Sequence, residues 1–73
     1  MEFRVQYFGS LDRLLYTDML EADELVGVLE WARSVLRQVP DDAEPADLPV
    51  GYVILDDRGR QVARGYKRET TPR

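Results

Sequence analysis

The 73-residue chain contains no cysteine and no histidine, and these two absences remove most of the chemistry open to a protein of this size. Without thiols there is no disulfide framework, no thiolate nucleophile and no thiolate zinc site. An extracellular setting is therefore not expected. Without imidazole the commonest general base near neutral pH is missing, along with every triad built on it. Long apolar runs are missing too: none approaches the roughly 20 residues that span a bilayer. The opening Met1-Glu2-Phe3-Arg4 lacks the basic-then-apolar pattern of a secretory leader. No GxGxxG, Walker loop, GxSxG or HExxH arrangement occurs, so neither a phosphate cradle nor a positioned nucleophile can be built from local sequence. The expectation is a cytoplasmic, non-enzymatic protein with no catalytic residue, cofactor, metal, membrane partner or small-molecule ligand.

What is present fits one small globular domain. A chain of this length buries only about 60% of the surface its unfolded form exposes, so one thin core is the most it can build. Apolar residues make up 44% of the chain and charged residues 33%, as in ordinary folded proteins. The net charge of −4 hides an asymmetry. Residues 1–57 hold four cationic against thirteen acidic side chains, a net of −9, whereas residues 58–73 hold six cations against Glu69 alone, a net of +5. An acidic body with a basic end can meet nucleic acid, an acidic partner or its own acidic face.

The hydrophobic pattern gives the element order. Phe3, Val5 and Tyr7 alternate with Glu2, Arg4 and Gln6, the signature of a half-buried strand. Gly9-Ser10-Leu11-Asp12 supplies turn residues, and residues 14–19 return as a second strand, with Leu14 and Leu15 offering apolar side chains to both faces. Asp23 can cap a helix that opens at Glu24. From there Leu25, Val28, Leu29, Ala32, Val35, Leu36 and Val39 form one apolar stripe. Pro40 ends the helix near residue 38. Residues 40–49, with three prolines and four acids, read as a solvated loop. Gly51-Tyr52-Val53-Ile54-Leu55 is a strand, Asp56-Asp57-Arg58-Gly59 a turn with Gly59 left-handed, and residues 60–66 the returning strand. The fold class is α+β: a ββαββ chain forming a four-stranded antiparallel sheet with one helix packed on one face. The domain spans residues 1–66, and residues 67–73 read as a frayed tail.

One helix covers one side of a sheet, yet this sheet has apolar residues on two. Placing Asp56 opposite Arg60 puts Ile54 opposite Val62, Tyr52 opposite Arg64 and Val50 opposite Tyr66, leaving Val53, Leu55 and Ala63 on the other face. Phe8 also points away from Phe3, Val5 and Tyr7. Trp31 falls on the border of the helix stripe, either sealing the edge of the core or anchoring a partner. The residues that a monomeric core explains least are Phe8, Trp31, Tyr52, Ile54 and Tyr66. They are the candidate protein interface, either with a second copy in a homodimer or with another protein.

Two charged stretches carry weaker readings. Asp41, Asp42, Glu44 and Asp47 cluster carboxylates but lack the alternation and central glycine of a calcium loop. Asp56 and Asp57 are neighbours in extended chain and point apart, so turn formation accounts for them. Arg60, Arg64, Lys67 and Arg68, with Tyr66 among them, are the candidate nucleic-acid contact, since cations beside an aromatic can meet phosphate and stack a base. The acidic body opposes that role.

Leu20-Glu21-Ala22-Asp23-Glu24-Leu25 between a hairpin and a helix, followed by Leu55-Asp56-Asp57-Arg58-Gly59-Arg60-Gln61-Val62, resembles a group of small uncharacterised bacterial ββαββ proteins. The resemblance covers most of the chain and implies the fold, with no activity and no functional residue. A second resemblance is to HicB-type antitoxins, whose strands precede a helix that opens with acidic residues; it implies a nucleic-acid-binding regulatory role. The Gly-Cys stretch expected before that helix is missing here.

Overall fold

The structure, a computed structural model, describes residues 1–39 and 48–67. The acidic loop carboxylates and Arg68 lie outside the described residues. Four strands and one helix follow in the order β1 (Glu2–Phe8), β2 (Leu14–Glu21), α1 (Leu25–Arg37), β3 (Gly51–Leu55) and β4 (Gln61–Tyr66). The strands form one antiparallel sheet in the order β2-β1-β3-β4. The two hairpins thus lie side by side, joined by β1 pairing with β3.

Alternation dictates the layering. Phe3, Val5 and Tyr7 of β1 share a face with Tyr52 and Ile54 of β3, because Val5 pairs with Ile54 and Tyr7 with Tyr52. All five are buried, and they meet Val28, Ala32 and Leu36 of α1 in a single core. The three helix residues repeat every four positions, the spacing that brings side chains onto one helical face. Leu25, Leu29 and Val35 pack partly buried beside them. The expected stripe is therefore the face that packs.

Local signals hold at the second turn. Gly59 takes φ +82°, a region that costs glycine nothing. The Asp56 carboxylate accepts hydrogen bonds from the backbone N–H groups of Arg58 and Arg60, both at 2.9 Å, and from the Arg60 guanidinium at 3.3 Å. These donors, led by the Arg60 N–H, hold the Asp56 carboxyl below its ordinary pKa.

Four details differ from the sequence expectation. The helix N-cap is Glu24, and no side chain caps it, so Asp23 does not play that part. β2 extends to Glu21, because Met1 pairs with Ala22 and prolongs the hairpin. Lys67 is not frayed: its N–H donates to the Val50 carbonyl at 2.7 Å. Its ammonium donates to the carbonyls of Val39 and Leu36 at 2.7 and 3.1 Å, where a cation complements the negative end of a helix.

The fourth difference is the register of the second hairpin. Asp56 and Arg60 do face each other, but Val62 is an extra residue in a bulge, so Ile54 pairs with Ala63, Tyr52 with Gly65 and Gly51 with Tyr66. The cause is steric. The Tyr52 ring lies flat over Gly65, where a Cβ would fall 2.5 Å from the phenol oxygen. Tyr52 opposite Arg64 would leave no room for that ring under the helix.

Candidate functional site

The bulge decides which residues reach the uncovered face. Past Val62, Arg64 and Tyr66 of β4 join Val53 of β3 and Phe8 of β1 on the side away from α1, since Phe8 pairs with Gly51, Gly51 with Tyr66 and Val53 with Arg64. Together with Asp12 from the first turn they line a cleft of about 220 Å³. Gly51 forms its floor. A Cβ there would lie 2.8 Å from the Tyr66 ring, so the missing side chain is what lets the ring settle against the strand.

The walls combine apolar surface with two charges. Asp12 and Arg64 both line the cleft, and neither joins an ion pair among the described residues. The turn that delivers Asp12 is itself unusual: Leu11 and Asp12 both have positive φ, 62° and 59°, a conformation that costs a non-glycine residue roughly 1 kcal/mol or more. Leu11 is 99% exposed at the tip.

Of the five candidate interface residues, three line the cleft: Phe8, Tyr52 and Tyr66. Tyr52 and Ile54 are 3% and 0% exposed beneath the helix; both are core residues, and Tyr52 reaches the cleft only with that small exposed remainder. Trp31 is half exposed on the other side of the sheet. Its side chain approaches the buried Tyr7 hydroxyl and lowers the Tyr7 pKa against the stronger effect of burial, without completing a hydrogen bond. Val53, Gly51 and Asp12 were not singled out by sequence. The glycine opposite each aromatic was the signal that could have found the first two, because a ring needs a small cross-strand neighbour to lie flat.

The candidate cations diverge. Arg64 faces the cleft, Arg60 is turned onto Asp56, and Lys67 reaches under the sheet to the end of α1. They do not line one groove.

The apolar surface continues from the cleft toward β2. Phe8 pairs with Leu14 across a second bulge, and Arg4 pairs with Met19. Leu14, Tyr16 and Met19 are all about half exposed. On the helix side of the same strand the Tyr16 ring packs on Tyr7, centroids 4.8 Å apart and tilted by 33°.

Comparison of the chain with protein-family models, with curated proteins and with solved structures found no match. Among the described residues no helix is long and apolar enough to cross a membrane. The functional reading rests on the geometry alone.

Proposed function

We propose that the chain is a small, non-enzymatic protein-interaction module of the cytoplasm that associates through its sheet, with a second copy of itself as first partner and another protein chain as the alternative. The observation that carries this reading is the one-sided cover of the sheet. A single helix buries Phe3, Val5, Tyr7, Tyr52 and Ile54. Phe8, Val53 and Tyr66 line the other side, no described element crosses them, and the apolar surface runs on to Leu14, which pairs with Phe8 at the sheet edge. Exposed apolar surface that is continuous, rather than scattered, marks contact sites, and a closed twofold pair is the commonest way a small soluble chain covers one.

The test is the absolute mass in solution by light scattering at two concentrations. The expected result is twice the 8.5 kDa of the chain; a monomer at both concentrations removes the self-association. A nucleic-acid reading draws on Arg64 beside two aromatics, but Arg60 and Lys67 point elsewhere and the body is acidic. Titration of a labelled single-stranded RNA at low salt is expected to show no binding, and a salt-sensitive anisotropy rise would favour that role instead.

A further inference from the structure

The outer strands offer another chain different things. β4 has six residues, is bulged at Val62 and carries Arg64 and Gly65, features that blunt an edge. β2 has eight residues with no proline, glycine or lysine, its bulge at Leu15 leaves Tyr16 to Glu21 in regular register, and three of its apolar side chains stand about half exposed. An uncovered strand edge is a row of unpaired N–H and C=O groups that another strand can complete.

The pairing shows which groups those are. Met1 and Ala22 exchange both backbone bonds, at 3.1 and 3.0 Å, so they are a hydrogen-bonded pair of the antiparallel ladder. Bonded and non-bonded pairs alternate along such a ladder. Leu20, Asp18 and Tyr16 therefore bond to β1, and the N–H and C=O groups of Thr17 and Met19 point outward.

We infer that β2 is a self-pairing edge: two copies join β2 to β2, antiparallel, about a twofold axis through Thr17, making one eight-stranded sheet with both helices on the same side. This rests on the self-association proposed above and places it at the edge of the sheet rather than on the open face. Side-chain alternation requires the axis to pass through a residue rather than between two. Axes at Thr17 and at Asp18 keep the longest overlaps of the strand. An Asp18 axis sets two like carboxylates directly opposite each other across a non-bonded pair, which is unfavourable. A Thr17 axis avoids this. Thr17 then exchanges both backbone bonds with its own copy, a favoured cross-strand pair. The Tyr16 phenol faces the Asp18 carboxylate of the other chain.

The absence of native cysteine makes the test clean. Thr17→Cys places two thiols at a bonded pair, where Cα atoms stand about 5.5 Å apart, within disulfide range; Val53→Cys places them on the open face. Thr17→Pro removes an N–H that points outward and so breaks no bond within the sheet. Thr17→Lys is the second variant should proline disturb the fold, with far-ultraviolet circular dichroism as the control. The expected result is a dimeric parent, monomeric Thr17→Pro and Thr17→Lys with unchanged dichroism, and a covalent dimer on mild oxidation of Thr17→Cys but not of Val53→Cys. A parent dimer that survives both substitutions at Thr17 and crosslinks through Val53→Cys overturns the edge pairing and leaves self-association through the open face. A monomeric parent overturns both.

Discussion

The two faces of the sheet use the same device and differ in what it can tolerate. On the helix side Tyr52 lies over Gly65; on the open side Tyr66 lies over Gly51, the neighbouring cross-strand pair. Tyr52 is 3% exposed and held under α1, whereas Tyr66 is 49% exposed with solvent beside it. One aromatic–glycine pair is thus enclosed by the core and the other lies at the surface. The difference teaches that stability is concentrated on one side of these strands, leaving the other side free to be shaped by contact with another chain.

Truncation across adjacent residues of β3 breaks this comparison most strongly. Ile54 is fully buried, and removing a buried isoleucine to alanine costs about 2–5 kcal/mol through lost transfer energy and the cavity left behind. Val53, one residue along, faces the open side and is partly exposed. Val53→Ala is expected to cost about 1 kcal/mol or less. Urea denaturation of the two variants measures the gap, and equal losses would mean that the open face is also covered in the protein as it exists in solution.

Much of this asymmetry was legible in the sequence. The alternation of Phe3, Val5 and Tyr7, the helical stripe from Leu25 to Leu36 and the left-handed Gly59 are local signals, and local signals gave the α+β layout and the one-sided cover. The candidate site was legible only in part. Phe8 stood out because it breaks the inward pattern of β1. Tyr52 and Ile54 prove to be core rather than interface, and the bulge at Val62 moves Arg64 and Tyr66 off their face in answer to a demand made by the third dimension: the Tyr52 ring needs Gly65 beneath it. Counting outward from the Asp56 turn cannot see that demand. The cleft inherits the same difficulty, since Gly51 and Asp12 come from different parts of the chain and carry no shared pattern.

Substituting the two glycines sharpens the comparison at a smaller scale. An alanine Cβ at Gly65 would sit 2.5–2.9 Å from the Tyr52 hydroxyl and ring, and a locked core ring can move only by shifting the helix, so Gly65→Ala is expected to cost about 1–3 kcal/mol, as overpacking does. At Gly51 the Cβ meets the Tyr66 ring at 2.8 Å and the Gly65 carbonyl at 3.1 Å. The Tyr66 ring is 49% exposed rather than packed under the helix, so Gly51→Ala is expected to cost less than Gly65→Ala while narrowing the cleft. Denaturation midpoints rank the pair, and the reverse ranking would show that Tyr66 is the more tightly held aromatic.

The smallest effect appears only in alkaline solution and belongs to the covered face alone. Burial, with Asp18 and Tyr16 adding to it, pushes the Tyr7 phenol up from 10.0 to about 12. The Tyr16 phenol is raised as well, again mainly by burial and then by Asp18. A phenol is neutral while it holds its proton, and the folded state holds that proton more tightly than the unfolded chain does. The resulting stability is fully present below pH 10 and is lost as pH rises through about 12. The melting temperature is therefore expected to stay level from neutrality to pH 10 and then to fall, with tyrosinate absorbance rising over the same interval. Tyr7→Phe removes a buried hydroxyl that has no partner among the described residues, so it is expected to leave neutral stability unchanged or higher and to flatten the alkaline decline. A decline of unchanged steepness in Tyr7→Phe would move its origin off the core face and onto other groups.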